Sequence, residues 1–378
     1  MKKGGNKMNH TLENLEEVKL GSILAEDILV NTKTPIIRKN TKLTREHIHV
    51  LRAFNINKVP VSIENLFSRT EEELIKLNES SVTTFKNEPD NEGTVLQTSF
   101  VKLYNDAVSN FYKEFTSWEA GMKVDVAKLR NIIMPLVESA MTDKKIFSHL
   151  NDYSSIEKYV AHHSIAVGII AGAIAKKMGY TSGMINQIAT AGLLADIGMA
   201  KVDAKVRDKK TYLTEADFSE IKKHTIYSLK MIKESPLLKP EMKVAIFQHH
   251  ERLDGSGYPK GEKMDNISIY SQIVAVADVY HAMTSERVYR AKSSSFKVLE
   301  MIREEEFGKY NLEVVNALIS LVGSLPISTS VRLSDSSIGE VVFLHRDSPM
   351  RPMIRLPETG QIIDLAAKRS IYIESVID

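Results

Sequence analysis

Residues 249–259 read HHERLDGSGYP, two adjacent histidines and an acid ahead of a tight turn rich in glycine and proline. Imidazole and carboxylate groups brought together suit divalent ions such as zinc, iron and manganese. Six of the eleven histidines lie between residues 162 and 281, in the same helical block. His163 sits in KYVAHHSIAVGIIAGAIA, Asp196 closes IATAGLLADIG, His224 lies in EIKKHTIYSL, and His249 and His250 end VAIFQHH. Asp278 stands inside SQIVAVADVYHAM, where a lone aspartate among apolar neighbours is costly without a partner. Singly, a helical histidine is more often a surface or satisfied core residue, and Asp196 reads as a helix-end residue. Together in one block, these six residues read as a metal site. Cysteine is absent, so disulfides and thiolate metal sites are excluded, which fits a reducing compartment.

The chain that must position them has 378 residues, 43% hydrophobic and 26% charged, enough for two or three domains. A formal net charge of +2 gives no strong field toward nucleic acid or an anionic membrane, so no nucleic-acid partner is expected. The start, MKKGGNKMNHTLENLEEVK, has no apolar run after its basic residues and is no signal peptide. The apolar run Ile165 to Ala175 is about half a membrane span. A cytoplasmic protein without a membrane span is expected. Short apolar runs and one helix, TREHIHVLRAFNI, make residues 1–65 a small α+β module. Residues 66–95 are polar and read as a linker. Residues 96–150 carry Phe100, Leu103, Tyr104, Ala107, Val108, Phe111 and Phe115 at helical spacing and predict two connecting helices broken near Gly121. The first of these offers either a core face or a face for a homodimer. Residues 151–325 read as nearly pure helix, and residues 326–378 alternate with turn residues between, as a small β subdomain does. The fold class is mainly α.

HHERLDGSGYPKG together with ADVYHAMTSERVYR resembles the HD-GYP family, a branch of the HD metal-dependent phosphohydrolases. The resemblance covers roughly residues 150–322. It implies an all-helical HD-type bundle and a cluster of metals, iron or manganese, that hydrolyses cyclic dinucleotides, chiefly cyclic di-GMP. On the family pattern the metal ligands fall on His163, Asp196, His224, His249, His250 and Asp278. The loop residues fall on Gly255, Gly257, Tyr258 and Pro259, and the dinucleotide-binding residues on Tyr258, Arg287 and Arg290. The resemblance also implies a loop surface for partner proteins, a diguanylate cyclase among them.

Two departures mark this chain as a degenerate member. LLADIG stands where LLHDIG is expected, so Ala195 replaces the histidine of the dyad, and Met199 replaces a lysine. In the family scheme Asp196 bridges two ions. One has His224, His249 and His250 as well; the other keeps only His163 and Asp278, so one ion or two are expected. Tyr159 stands where some relatives carry an acid for a third metal. His281, three residues after Asp278 on the same helix face, is a candidate replacement ligand. Loss of a charge-stabilising donor typically costs on the order of 100-fold in rate. The leading expectation is therefore a protein that binds cyclic di-GMP or a partner with weak or absent hydrolysis. The alternatives are an active phosphodiesterase with a modified binuclear site, and a nucleotide-independent interaction scaffold.

Overall fold

Apolar side chains at helical spacing dominate the middle of the chain, and there the backbone is helical. The computed structural model describes residues 10–15, 17–29, 35–54, 56–62, 92–142, 146–147, 150–153, 157–285, 293–304, 308–323 and 325–377. Most of the proposed linker, residues 66–91, lies outside them, as do Arg287 and Arg290. The described part forms two units, one made of residues 90–324 with 373–375, the other of the two terminal segments.

In the helical unit, α2 (Glu92–Glu119) and α3 (Val126–Ala140) form the connecting pair, broken at Gly121 as its φ of +96° requires. Phe100, Tyr104, Val108, Phe111, Phe115 and Trp118 of α2 are buried within the chain, so this face serves the core and is not free to pair a dimer. The longer helices that follow are α4 (Tyr159–Lys177), α5 (Ser182–Leu194), α6 (Glu215–Lys222), α7 (His224–Ile232), α8 (Pro240–Gln248), α9 (Ile269–Thr284), α10 (Ser295–Glu304) and α11 (Leu312–Val322). α4 packs on α3, α5, α9 and α11, and every residue from Ala161 to Ala175 is buried. A helix apolar on all sides must be enclosed, by protein or by lipid. By length and composition α4 would serve as a membrane span, but 83% of its apolar window is buried inside this bundle.

The second unit joins what the sequence presents as separate N- and C-terminal modules. α1 (Arg45–Ala53) is preceded by a capping box in which Thr44 and His47 satisfy each other's backbone N–H groups. β1 (His10–Asn14) pairs antiparallel with β2 (Lys58–Ser62) over a core of Leu15, Leu24, Leu43, Leu51, Val59 and Val61. The C-terminal strands β3 (Ser330–Leu333), β4 (Ile338–Phe343), β5 (Met353–Arg355) and β6 (Ile362–Asp364) form an antiparallel sheet in the order β6-β5-β4-β3. Phe54, at the end of α1, packs with Val342 and Met353 of that sheet, which is why the two ends of the chain share one unit.

Candidate metal centre

Each candidate ligand sits where a helix begins, ends or faces the bundle interior. His163 lies one turn into α4. Asp196 follows the end of α5 and opens a 3-10 turn, Ile197–Lys201. That turn packs against α7, and Ser228 pins it twice: its Oγ donates to the Ala195 carbonyl at 2.7 Å and accepts from Gly198 N–H at 2.8 Å. A Cβ at Gly198 would collide with the His224 carbonyl, so only glycine allows this approach. His224 begins α7, His249 and His250 follow the last turn of α8, and Asp278 and His281 project from α9.

Asp196, His224, His249 and His250 present ligand atoms that all lie within 4.8 Å of one another. Their hydrogen bonds fix which nitrogens face inward. Nδ1 of His224 lies 2.8 Å from the Ile221 carbonyl, and Nδ1 of His249 lies 2.7 Å from the Ile246 carbonyl. A carbonyl only accepts, so each Nδ1 carries a proton, and each ring, when neutral, turns an Nε2 lone pair inward. Those lone pairs face Asp196 Oδ1 at 3.1 and 3.4 Å and each other at 3.4 Å. Oδ1 of Asp196 is buried and accepts no well-formed hydrogen bond. Acceptors converging on a buried acceptor repel unless a cation or extra protons lie between them. These four residues therefore fit a divalent ion.

The second set is His163, Asp196 and Asp278. Nε2 of His163 lies 2.9 Å from Asp278 Oδ1 and 3.3 Å from Asp196 Oδ2, so the two oxygens of Asp196 serve different sets. Ala195 is buried and contributes no ligand atom. The other lysine of the turn does not stand in for the residue replaced by Met199, because Lys201 Nζ donates to the Trp118 carbonyl at 2.5 Å. His281 is brought to the site but joins neither ligand set: its Nδ1 meets Nδ1 of His163 at 3.0 Å, on the ring edge opposite the carboxylates. This contact differs from the one expected of a replacement ligand. A helical step of three residues carries it past Asp278 to the far side of His163. Tyr159, in the place of the absent acid, stacks on His163 at 5.5 Å with 19° between the rings.

Buried carboxylates and imidazoles set each other's charge. Burial would raise Asp196, but the imidazoles of His163, His224 and His249, where protonated, outweigh it and hold its pKa well below the usual carboxylate range. Burial would likewise raise Asp278; His250 and His163 outweigh it and hold it low. Burial would lower His163, yet Tyr159 and the two carboxylates hold it well above the usual imidazole range. His250 is driven well below that range by burial and by the neighbouring His249, which leaves it neutral and able to ligate.

The turn beyond His250 forms the rim of the site. Tyr258 stacks on His250 at 4.6 Å and stands edge-on to His224 at 6.3 Å. Lys222 places its ammonium 5.3 Å from the Tyr258 ring centre and 4.7 Å from that of Phe218. Gly255 adopts a φ of +83°, as the turn reading expects, while Gly257 is required for room: a Cβ there would press on the backbone of residues 250–252. Pro259 follows Tyr258 through a cis peptide bond. Sequence reasoning missed the residue that holds this loop. Glu251 is 2% exposed and accepts from Lys260 N–H at 2.8 Å and Glu262 N–H at 3.0 Å. An acid next to two ligand histidines was the available signal, though it reads equally well as a further ligand.

Residues 141–314 match the HD domain family, and residues 330–378 match the KOW domain associated with HD domain. The cyclic di-GMP phosphodiesterase PdeB of Borreliella burgdorferi is 31% identical over 55% of this chain and 55% of its own length. The cyclic di-GMP phosphodiesterase PA4108 of Pseudomonas aeruginosa is 26% identical over 66% of this chain and 62% of its own length. The 3'3'-cGAMP-specific phosphodiesterase 3 of Vibrio cholerae is 32% identical over 44% of this chain and 36% of its own length. The chain thus spans roughly a third to three fifths of the length of these curated relatives.

Proposed function

The chain belongs to the HD-GYP branch of the HD domain family, and from that premise we propose that it binds a cyclic dinucleotide of the cyclic di-GMP type with weak or absent hydrolysis. The observation that supports this reading is the asymmetry of the two ligand sets. Asp196 turns Oδ1 to His224 and His249, in the group that also holds His250, and Oδ2 to His163 alone, in the group that also holds Asp278. A divalent ion, iron or manganese as the resemblance implies, would supply Lewis acidity toward a phosphoryl oxygen when bound. The protein's own part is to orient and enclose. The Ile221 and Ile246 carbonyls fix the His224 and His249 rings, and Tyr258 covers His250. Lys222 brings a cation to the rim beside Tyr258, placed to meet a phosphate. Ala195 and Met199 supply neither the second imidazole nor the charge that would complete the other half.

A second reading is an active phosphodiesterase. It is favoured by His163 and Asp278, which are assembled on Asp196 Oδ2 despite the alanine at 195. One experiment separates the two. The manganese-loaded full chain is mixed with cyclic di-GMP, and in parallel with 3'3'-cGAMP, and both binding and linear product are followed. Saturable binding without product beyond a buffer control supports the binding reading. Sustained production of linear dinucleotide supports the enzyme. No binding of either nucleotide overturns both.

A further inference from the structure

We infer that His281 is a positioning residue for the His163 half of the centre, accepting the Nδ1 proton of His163 so that Nε2 is left free as a ligand. The inference rests on the metal reading above and goes beyond it, because His281 lies in neither ligand set. Nδ1 of His163 and Nδ1 of His281 stand 3.0 Å apart, so a single proton serves that contact. An ion at His163 Nε2 requires the His163 proton on Nδ1, which makes His281 the acceptor and puts its own proton on Nε2. That nitrogen lies 3.0 Å from Ser285 Oγ, which takes the proton in a hydrogen bond. Ser285 is held in turn by its N–H, which donates to the His281 carbonyl at 3.0 Å. His281 is 0% exposed and Ser285 is buried beside it, so bulk water does not reach this chain of bonds. The Tyr159 hydroxyl also faces His163 Nδ1, but at 3.4 Å, a poorer partner than the imidazole. Outer hydrogen bonds of this kind orient a ligand ring and raise its basicity, and their loss typically costs about 10- to 100-fold in metal affinity.

The test is manganese affinity of the full chain by chelator competition, with melting curves as the control for folding. His281→Leu keeps an apolar volume and removes the acceptor, whereas His281→Asn keeps an acceptor at the place of Nδ1. In the Leu variant the weaker ion is expected to lose about 10- to 100-fold in affinity while the tighter ion is unchanged. The Asn variant should hold the weaker ion within about threefold of wild type. Should the Leu variant fail to fold, Ser285→Ala reports on the same chain and should weaken only the weaker ion. A purely structural role would shift both ions and the melting temperature together, and that result overturns the inference. So does an unchanged second ion in both the Leu and Ser285→Ala variants. Wild type that binds a single ion at saturating manganese also overturns it and leaves the four-ligand site standing. Wild type that binds none refutes the metal reading itself.

Discussion

Glu251 is predicted to hold the loop that covers the centre, and Glu251→Gln measures how firmly. The carboxylate accepts two backbone N–H groups, from Lys260 and Glu262, nine and eleven residues further on. Glutamine has the same shape but a single acceptor oxygen. One N–H keeps a partner, now neutral, and the other meets an amide NH2 in a buried setting. A buried donor left unsatisfied costs about 1–3 kcal/mol, and a neutral acceptor replaces one worth about 1.5–3 kcal/mol with one nearer 1 kcal/mol. Together these come to about 1.5–5 kcal/mol. The loop keeps its other ties, among them Tyr258 N–H to the His250 carbonyl at 3.1 Å and Leu253 N–H to the Lys309 carbonyl at 3.0 Å. Part of the cost therefore appears as local opening, not global unfolding. Thermal melting of the helical unit should fall by about 4–8 °C for the first 2 kcal/mol that is global. Limited proteolysis should cut first between residues 253 and 263. Nucleotide affinity should fall with it, because Tyr258 is carried on that loop. A variant that melts within about 1 °C of wild type and resists cleavage equally would refute the claim that the carboxylate anchors the loop.

Two further perturbations follow from the geometry. Restoring both absent groups, with Ala195→His and Met199→Lys together, should tighten the weaker ion and raise turnover of cyclic di-GMP by on the order of 100-fold; stopped assays with added manganese check it. At the start of α6, Asp217 is held at a pKa of about 2 by Lys209 and then by the Thr214 backbone and hydroxyl. Its unfolded value is about 3.9, so its stabilisation is present above about pH 4 and is lost as pH falls through about 2. Asp217→Asn should lower the melting temperature at pH 6 and converge on wild type toward pH 2.

The candidate ligands were legible because their chemistry is conspicuous in the sequence. Asp278 lies in an apolar helix, and the paired histidines lie at a helix end ahead of a glycine-rich turn. The division of His163, Asp196 and Asp278 from His224, His249 and His250, with Asp196 shared, also matches the two ligand sets in space. What was hidden depends on tertiary geometry. Ser228 is one serine among many until Gly198 packs against it. Which edge of the His163 ring His281 meets is a distinction that helical spacing does not carry. Phe54 and Val342 are nearly three hundred residues apart, and no local pattern in either announces that they share a core.

The central claim is that Asp196 and its imidazoles hold a metal. Elemental analysis of the purified full chain, reconstituted with manganese or iron and set beside Asp196→Asn, tests it most directly. The account predicts at least one ion per wild-type chain and loss of bound metal in the variant, because both ligand sets depend on this one carboxylate. A folded wild type that retains no ion after reconstitution, or an Asp196→Asn variant that retains as much as wild type, would contradict it.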